Sequence, residues 1–416
     1  MQREKIFTPY QVFIIAILAF LQFTIILDFM VLSPLGAQLL QELNVTTRQF
    51  GLVVSAYAFS AGAAGLLSAG FADRYDRKRM LLFFYAGFIL GTFFCGIAPN
   101  YQFLLLARIV TGLFGGVMGS VIFAIITDLF HLEVRGRVMG VVQTAFAVSQ
   151  VLGLPISLYL ANHWSWHAPF LMIAGLSMLA FGAIVWRMRP VDGHLALQTG
   201  RSAMTHLYKT VTEKKYQLGF ATTVLLATGG FMLMPFGSAF AVHNLGLRLD
   251  QLPIVYMVTG VFSLTTGPLL GRYSDKIGKF PLFTAGSVLT IALVLVYTRL
   301  GVTPLWAVIA LNVVLFIGIT SRMITSSALT SAVPDPSDRG AFMGVNSSIA
   351  QVSGGIASAV AGMLIAQKPD GQLLHYPTLG IVVAVSVAVT IWMMYYINRQ
   401  VQRKHHPVLT PEFEVQ

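Results

Sequence analysis

The chain is a succession of long apolar runs, and runs of that length admit few folds. A helix of about 20 predominantly apolar residues matches the hydrocarbon thickness of a bilayer. Inside lipid, a helix is one of only two ways to satisfy every backbone N–H and C=O. Such runs fall at 12–33, 49–70, 81–98, 102–126, 138–161, 168–187, 217–240, 251–271, 281–299, 305–331, 341–366 and 377–397. The expected fold is an all-α membrane protein with twelve transmembrane helices. Only 10% of the residues are charged, against about 25% in a soluble domain, which leaves too few to coat a water-facing surface. The first run is too long for a signal h-region, contains Asp28 and lacks a small-residue cleavage site, so it reads as a first span.

A short charged loop occurs twice between these runs. Residues 69–79 read A-G-F-A-D-R-Y-D-R-K-R and residues 271–280 read G-R-Y-S-D-K-I-G-K-F, with Asp73 and Asp275 offset by 202. A second pair, R-G-R-V-M-G from Arg135 and R-G-A-F-M-G from Arg339, is offset by 204. Two pairs at nearly one offset mean a duplicated half. The expected organisation is two six-helix pseudo-repeat bundles at 1–190 and 216–398, a linker at 191–215 and a tail at 399–416. Parallel repeats of membrane helices are how many secondary transporters are built. Within the linker, 204–215 suits a short surface helix turning Leu207 and Val211 to the membrane.

The basic residues divide unevenly between the two sides. The loops on one side hold Arg74, Arg77, Lys78, Arg79, Arg135, Arg137, Arg272, Lys276, Lys279 and Arg339; the other side holds Arg48, Arg248, Arg299 and Lys368. Positive charge marks the cytoplasmic side, so the expected location is the inner (plasma) membrane, multi-pass, with both termini cytoplasmic. The net charge of +11 then faces anionic lipid and not nucleic acid. Trp164, Trp166 and His167 lie on the opposite side and read as interfacial anchors. Cys95 is the single cysteine and reads as a packing residue. His163 and His167 stand at i,i+4 with no third ligand, so neither a metal nor another cofactor is expected.

At 69–79 the chain resembles the major facilitator superfamily, whose signature between the second and third helices is G-x-L-A-D-R-x-G-R-K. Asp73, Arg74, Arg77 and Lys78 occupy its charged positions, while Ala69 and Asp76 replace its glycines. The second copy keeps both glycines, Gly271 and Gly278, around Asp275, Lys276 and Lys279. The resemblance implies the major facilitator fold and a cytoplasmic gate, in which these charges hold the two halves together and release them as they rock. Asp128, at the end of the fourth span, is placed to join Asp73 and Arg77. The fourth span, L-L-L-A-R-I-V-T-G, is similar to the superfamily's buried-arginine segment at Arg108 and Gly112. Behind it, Gly112/Gly116 and Gly115/Gly119 are small-residue pairs that let helices approach closely.

Charges inside the spans are the candidate site. A guanidinium in the bilayer costs several kcal/mol unless paired or wetted, so Arg108 needs a partner, and Asp28 in the first span is the natural one. Burial resists ionisation of that carboxylate while a neighbouring arginine favours it, the balance a proton-coupling group requires. A static structural ion pair is the alternative. Arg322 lies nine residues before the end of the tenth span, roughly 14 Å deep, and with Thr325 and Ser326 it marks a polar face expected to line the substrate cavity or to pair structurally. Gln143 and Gln150 share one face of the fifth span, and Asn346 and Ser353 one face of the eleventh; cavity lining and interhelical packing both suit them. The fifth span carries Gly153-Leu154-Pro155-Ile156-Ser157 where drug/proton antiporters of the superfamily carry G-P-x-x-G-G, a form similar to the sugar- and nucleoside-efflux branch.

The expected function is secondary active transport by alternating access: proton-coupled efflux of small amphiphilic molecules (a drug, a sugar or another metabolite). The alternatives are an importer or facilitator of an organic anion, and a non-transporting membrane receptor. No H-E-x-x-H, G-x-S-x-G or P-loop pattern occurs, so an enzyme is not expected. The expected partners are a small-molecule substrate, protons and the lipid bilayer, with a monomer implied by the resemblance.

Overall fold

The computed structural model describes residues 7–68, 75–193, 195, 203–335 and 338–405. Among them twelve helical segments are long and apolar enough to cross a membrane: α1 (Pro9–Val31), α2 (Thr47–Ser68), α3 (Arg77–Gly96), α4 (Tyr101–Leu129), α5 (Glu133–His163), α6 (Ala168–Arg187), α7 (Lys214–His243), α8 (Leu249–Ile277), α9 (Lys279–Tyr297), α10 (Leu305–Ser331), α11 (Arg339–Leu364) and α12 (Tyr376–Arg403). They form two pseudo-symmetric bundles, α1–α6 and α7–α12.

Local chemistry sets the helix ends. Thr8 caps α1: its hydroxyl accepts from the Gln11 N–H at 3.2 Å while the Gln11 side chain accepts from the Thr8 N–H at 2.9 Å, and Pro9 supplies a helical φ at the first position. Asn100 caps α4 by accepting from the Phe103 N–H at 3.0 Å. In α5, Pro155 has no N–H to give and its ring crowds the carbonyl four residues back. The helix responds by widening into a π-turn at Ser149–Gly153. In α7, Pro235 lies in a 3₁₀ turn at Met234–Phe236 that breaks the helix before Gly237–His243.

The core shows how the halves meet. At the charge-poor end one apolar cluster spans both, joining Leu35, Phe50 and Val54 to Phe236, Phe240 and Ile365. At the basic end the clusters are separate. One holds Leu18, Tyr85, Ile122 and Val142, the other Tyr216, Phe283, Phe342 and Met394.

Polar contacts fasten the charge-poor end across the halves. Thr47 and Ser55 donate to the carbonyls of Ile365 and Gly355, each at 2.7 Å. Ser238 donates to Ser33 O at 2.9 Å and the Asn162 amide to Leu249 O at 2.9 Å. Gly51 makes the α2–α11 crossing possible, since a Cβ there would fall 2.8 Å from Ser358 O. The widened turn of α5 meets α8 at Gly260, where a Cβ would stand 3.1 Å from the Gln150 carbonyl. Nearer the basic end, Val141 and Phe146 of α5 and Phe262, Leu269 and Tyr273 of α8 are exposed. The halves are thus sealed at the charge-poor end and cored separately at the basic end.

Smaller elements follow. A hairpin of β1 (Ala366–Gln367) and β2 (Leu373–Leu374) joins α11 to α12; the Asn244 amide holds it to the end of α7 through both the N–H and C=O of Leu373, at 2.9 and 3.0 Å. A short helix, Ala203–Thr212, stands in the linker where 204–215 suggested one, with Val211 exposed. The expected pair of interfacial tryptophans is not realised. Trp164 is 76% exposed, but Trp166 is 2% exposed, stacked on His167 at 3.7 Å. The cause is the turn itself: His167 reaches Ala98 O at 3.0 Å and folds the connection back onto the core.

Candidate functional site

Asp28 and Arg108 meet in the first half, 0% and 1% exposed. Arg108 Nη1 lies 2.7 Å from Asp28 Oδ2 and 3.3 Å from the Asp28 carbonyl oxygen. Thr92 of α3 donates to Asp28 Oδ1 at 3.1 Å, and the guanidinium sits 4.5 Å above the Tyr57 ring of α2. Small residues bring α2, α3 and α4 this close. A Cβ on Gly91 would lie 2.6 Å from Thr111 Oγ1, one on Gly112 2.5 Å from Tyr57 O, and one on Gly116 2.4 Å from Ala61 Cα. Gly119 has nothing within 4 Å, so of the two expected glycine pairs the contact runs through Gly112, Gly115 and Gly116.

The pair is strongly held but incompletely satisfied. It uses one terminal nitrogen of the guanidinium instead of the two-pronged fork, and Arg108 Nε has no partner. It also stands next to the seam between halves. Phe29, the residue after Asp28, lies 5.3 Å from Tyr57 and 5.7 Å from Phe231 of α7. Arg108, Tyr57, Phe29 and Phe231 therefore form one contiguous chain from the buried charge into the second half.

Arg322 is placed differently. It is 7% exposed and packs inside the second half, its guanidinium 5.8 Å from the Phe283 ring of α9 and 3.5 Å from Thr390 Oγ1 of α12. Its Nε has no partner, and among the described residues no carboxylate lies within ion-pair distance of it. Thr325 and Ser326 are buried and donate to carbonyls of their own helix, Ser321 O at 2.7 Å and Met323 O at 3.2 Å. Gln143 is exposed and Gln150 half-buried on α5. Asn346 accepts from Thr223 at 2.6 Å. These groups do not gather around Asp28 and Arg108.

Thr92 and Tyr57 completed the buried pair without standing out in the sequence; a lone threonine or tyrosine in an apolar helix carries no signal until its neighbour is known. Two further places escaped notice for the same reason. Gln22 Oε1 on α1, and the Thr259 and Ser263 hydroxyls on α8, are buried polar atoms without a protein partner.

Asp73 and Arg74 lie outside the described residues. Beside them Arg77 Nε meets Asp128 Oδ2 at 3.0 Å, joining the start of α3 to the end of α4. Asp76, standing where the superfamily signature has glycine, caps α3 by accepting from the Arg79 N–H at 2.8 Å and also accepts from the Val191 N–H at 3.0 Å. The substitution thereby ties the linker to this loop. In the second copy Gly278 takes φ +95, which a side chain would strain, and Lys279 lies 3.8 Å from Asp275. Lys215 pairs with Asp335 at 2.7 Å. The ion pairs between described residues at this end each lie within one half.

The family model described as Major Facilitator Superfamily matches residues 18–358 and 219–412. The chain belongs to the major facilitator superfamily. Among superfamily relatives, it is 30% identical to the Uncharacterized MFS-type transporter YceJ of Bacillus subtilis (strain 168) over 280 residues, 65% of this chain and 69% of the relative. It is 22% identical to Multidrug resistance protein 1 of the same organism over 364 residues, 86% and 90% of the two chains. A solved bacterial homolog of the human lysosomal transporter Spinster superposes with a TM-score of 0.70 at 15% identity, covering 95% of this chain and 97% of that one, a likeness of fold. As a superfamily member the chain is a multi-pass membrane protein for secondary transport of small molecules.

Proposed function

We propose that this transporter exports small amphiphilic molecules in exchange for protons, without catalysing any reaction. The observation that carries the proposal is the buried Asp28–Arg108 pair beside the seam between halves. With the basic loops taken as cytoplasmic, the described state is sealed outward and has a separate core for each half on the inward side, with Asp28 paired to Arg108. Opening the far side lets a proton reach Asp28, and neutralising the carboxylate frees Arg108. The guanidinium then bears differently on Tyr57, and through Phe29 on Phe231, so the charge state biases which end is sealed. Discharge of the proton on the cytoplasmic side restores the pair. One charge moved across 100 mV is worth about 2.3 kcal/mol, ample for exchange.

Supporting features are the unpartnered Gln22, Thr259 and Ser263 groups, suited to hydrogen-bonding a substrate, and the resistance role in the name of the relative Multidrug resistance protein 1. An organic-anion carrier is a second reading, favoured by the carboxylate-free Arg322. Its packing against Phe283 and Thr390 makes that the weaker of the two.

The test is reconstitution in liposomes containing a pH-sensitive dye, with sugars, nucleosides, organic acids and cationic drugs supplied in turn. The expected result is substrate-triggered proton movement that Asp28→Asn abolishes. Labelled substrate crossing without proton movement in the unaltered protein would refute the coupling.

A further inference from the structure

We infer that a groove between the start of α7 and the end of α12 binds the headgroup of an anionic phospholipid. The groove measures about 350 Å³ and is lined by Leu218, Tyr396, Arg399, Gln400 and Arg403. Arg399 and Arg403 stand at i,i+4 and so share a helix face. Both are exposed, and among the described residues neither has a carboxylate within ion-pair distance. Lys215, the neighbouring cation, is already taken by Asp335. Gln400 donates to Lys215 O at 3.3 Å, which bridges the two helices across the groove.

The depth is right for a headgroup and not for a soluble anion site. A helix of about 20 residues crosses the hydrocarbon core, so α12, starting at Tyr376, leaves it near Tyr396. Arg399 and Arg403 then stand roughly 4 and 10 Å beyond that edge, at 1.5 Å per residue, within the headgroup layer. The level of the boundary is marked independently by exposed rings, Trp392 against Tyr396 at 5.0 Å and Tyr395 beneath Arg399 at 4.9 Å. The apolar wall, Leu218 and Tyr396, continues below the arginines where acyl chains would lie. A phosphate above and alkyl chains below fit one ligand, a phospholipid with net negative charge, held between the first and last helices of the second half.

Purified full-length protein, stripped of lipid in neutral detergent, would be titrated with phosphatidylglycerol, phosphatidylcholine and glycerol phosphate while thermal unfolding is followed. The expected result is a saturable rise in Tm with phosphatidylglycerol alone. The Arg399→Gln/Arg403→Gln variant should unfold like the unaltered protein without lipid, and need roughly 30-fold more phosphatidylglycerol for the same rise. Arg403→Gln alone should need about 5-fold more, and Arg137→Gln, an exposed cation elsewhere at this end, should respond normally. Native mass spectrometry of the double variant should show one fewer retained phosphatidylglycerol. An undiminished response in the double variant, or equal stabilisation by phosphatidylcholine, would overturn the site. A rise with glycerol phosphate at matching concentration would overturn the lipid as its ligand.

Discussion

Removing the two charges of the buried pair separately and together distinguishes what it contributes to folding from what it contributes to transport. In Asp28→Leu, Arg108 keeps a 3.3 Å contact to the backbone carbonyl of residue 28 and the Tyr57 ring, but its charge is uncompensated in a site only 1% exposed. Stranding one member of a buried pair costs about 3–5 kcal/mol. In Arg108→Met the carboxylate keeps only the Thr92 hydroxyl at 3.1 Å, and a similar cost of about 3–5 kcal/mol follows. The double variant has no charge left to desolvate, and replacing a whole buried pair by apolar side chains is close to neutral. The cycle should therefore close with a coupling of about 6 kcal/mol or more, far above the additivity error of about 0.5 kcal/mol for independent sites. Reversible unfolding in mixed micelles with increasing dodecyl sulfate, followed by circular dichroism, measures all four proteins. Single-variant losses that simply add in the double variant would mean that the two charges do not compensate one another. The double variant, although stable, should not couple substrate to proton movement in liposomes; if it did, the pair would be structural only.

Other substitutions test separate parts of the molecule. Arg322→Met installs the residue found one repeat earlier, at Met118 in the first-half core, and should raise stability by roughly 1–4 kcal/mol in the same unfolding assay; a loss would mean that the arginine has a partner it depends on. Gly116→Val should destabilise by about 1–3 kcal/mol because a Cβ there meets the α2 backbone, whereas Gly119→Ala, with open space around it, should stay within about 0.5 kcal/mol. Ser238→Ala should weaken the sealed end by about 1 kcal/mol, since the Ser238 hydroxyl donates across it to Ser33 O at 2.9 Å; unchanged stability in the unfolding assay would mean that this contact does not help to hold the end shut.

The features legible in the chain follow from the bilayer. Hydrocarbon leaves a twenty-residue apolar segment no alternative to a helix, so the spans and their number were legible, and the repeated charged loops revealed the duplication. Asp28 and Arg108 were legible as a pair because they are opposite charges inside spans of the same half, where pairing offsets the cost of burial; Arg322, with no carboxylate inside the apolar runs of its own half, gave no such signal. The tertiary structure alone decided the rest. In a membrane protein the faces toward lipid, neighbouring helix and cavity are all largely apolar, so periodicity does not say which face turns where. That is why Arg322 packs between α9 and α12 despite a polar face that suggested a cavity, and why Trp166 is core while Trp164 is exposed. Thr92 and Tyr57 joined the pair through the approach of α2 and α3, which depends on glycines whose contacts lie on other helices. Which end is sealed was likewise undetermined by the chain's order of residues. It is set by how the two halves dock, a balance of long-range contacts such as Thr47 with Ile365 that no local pattern encodes.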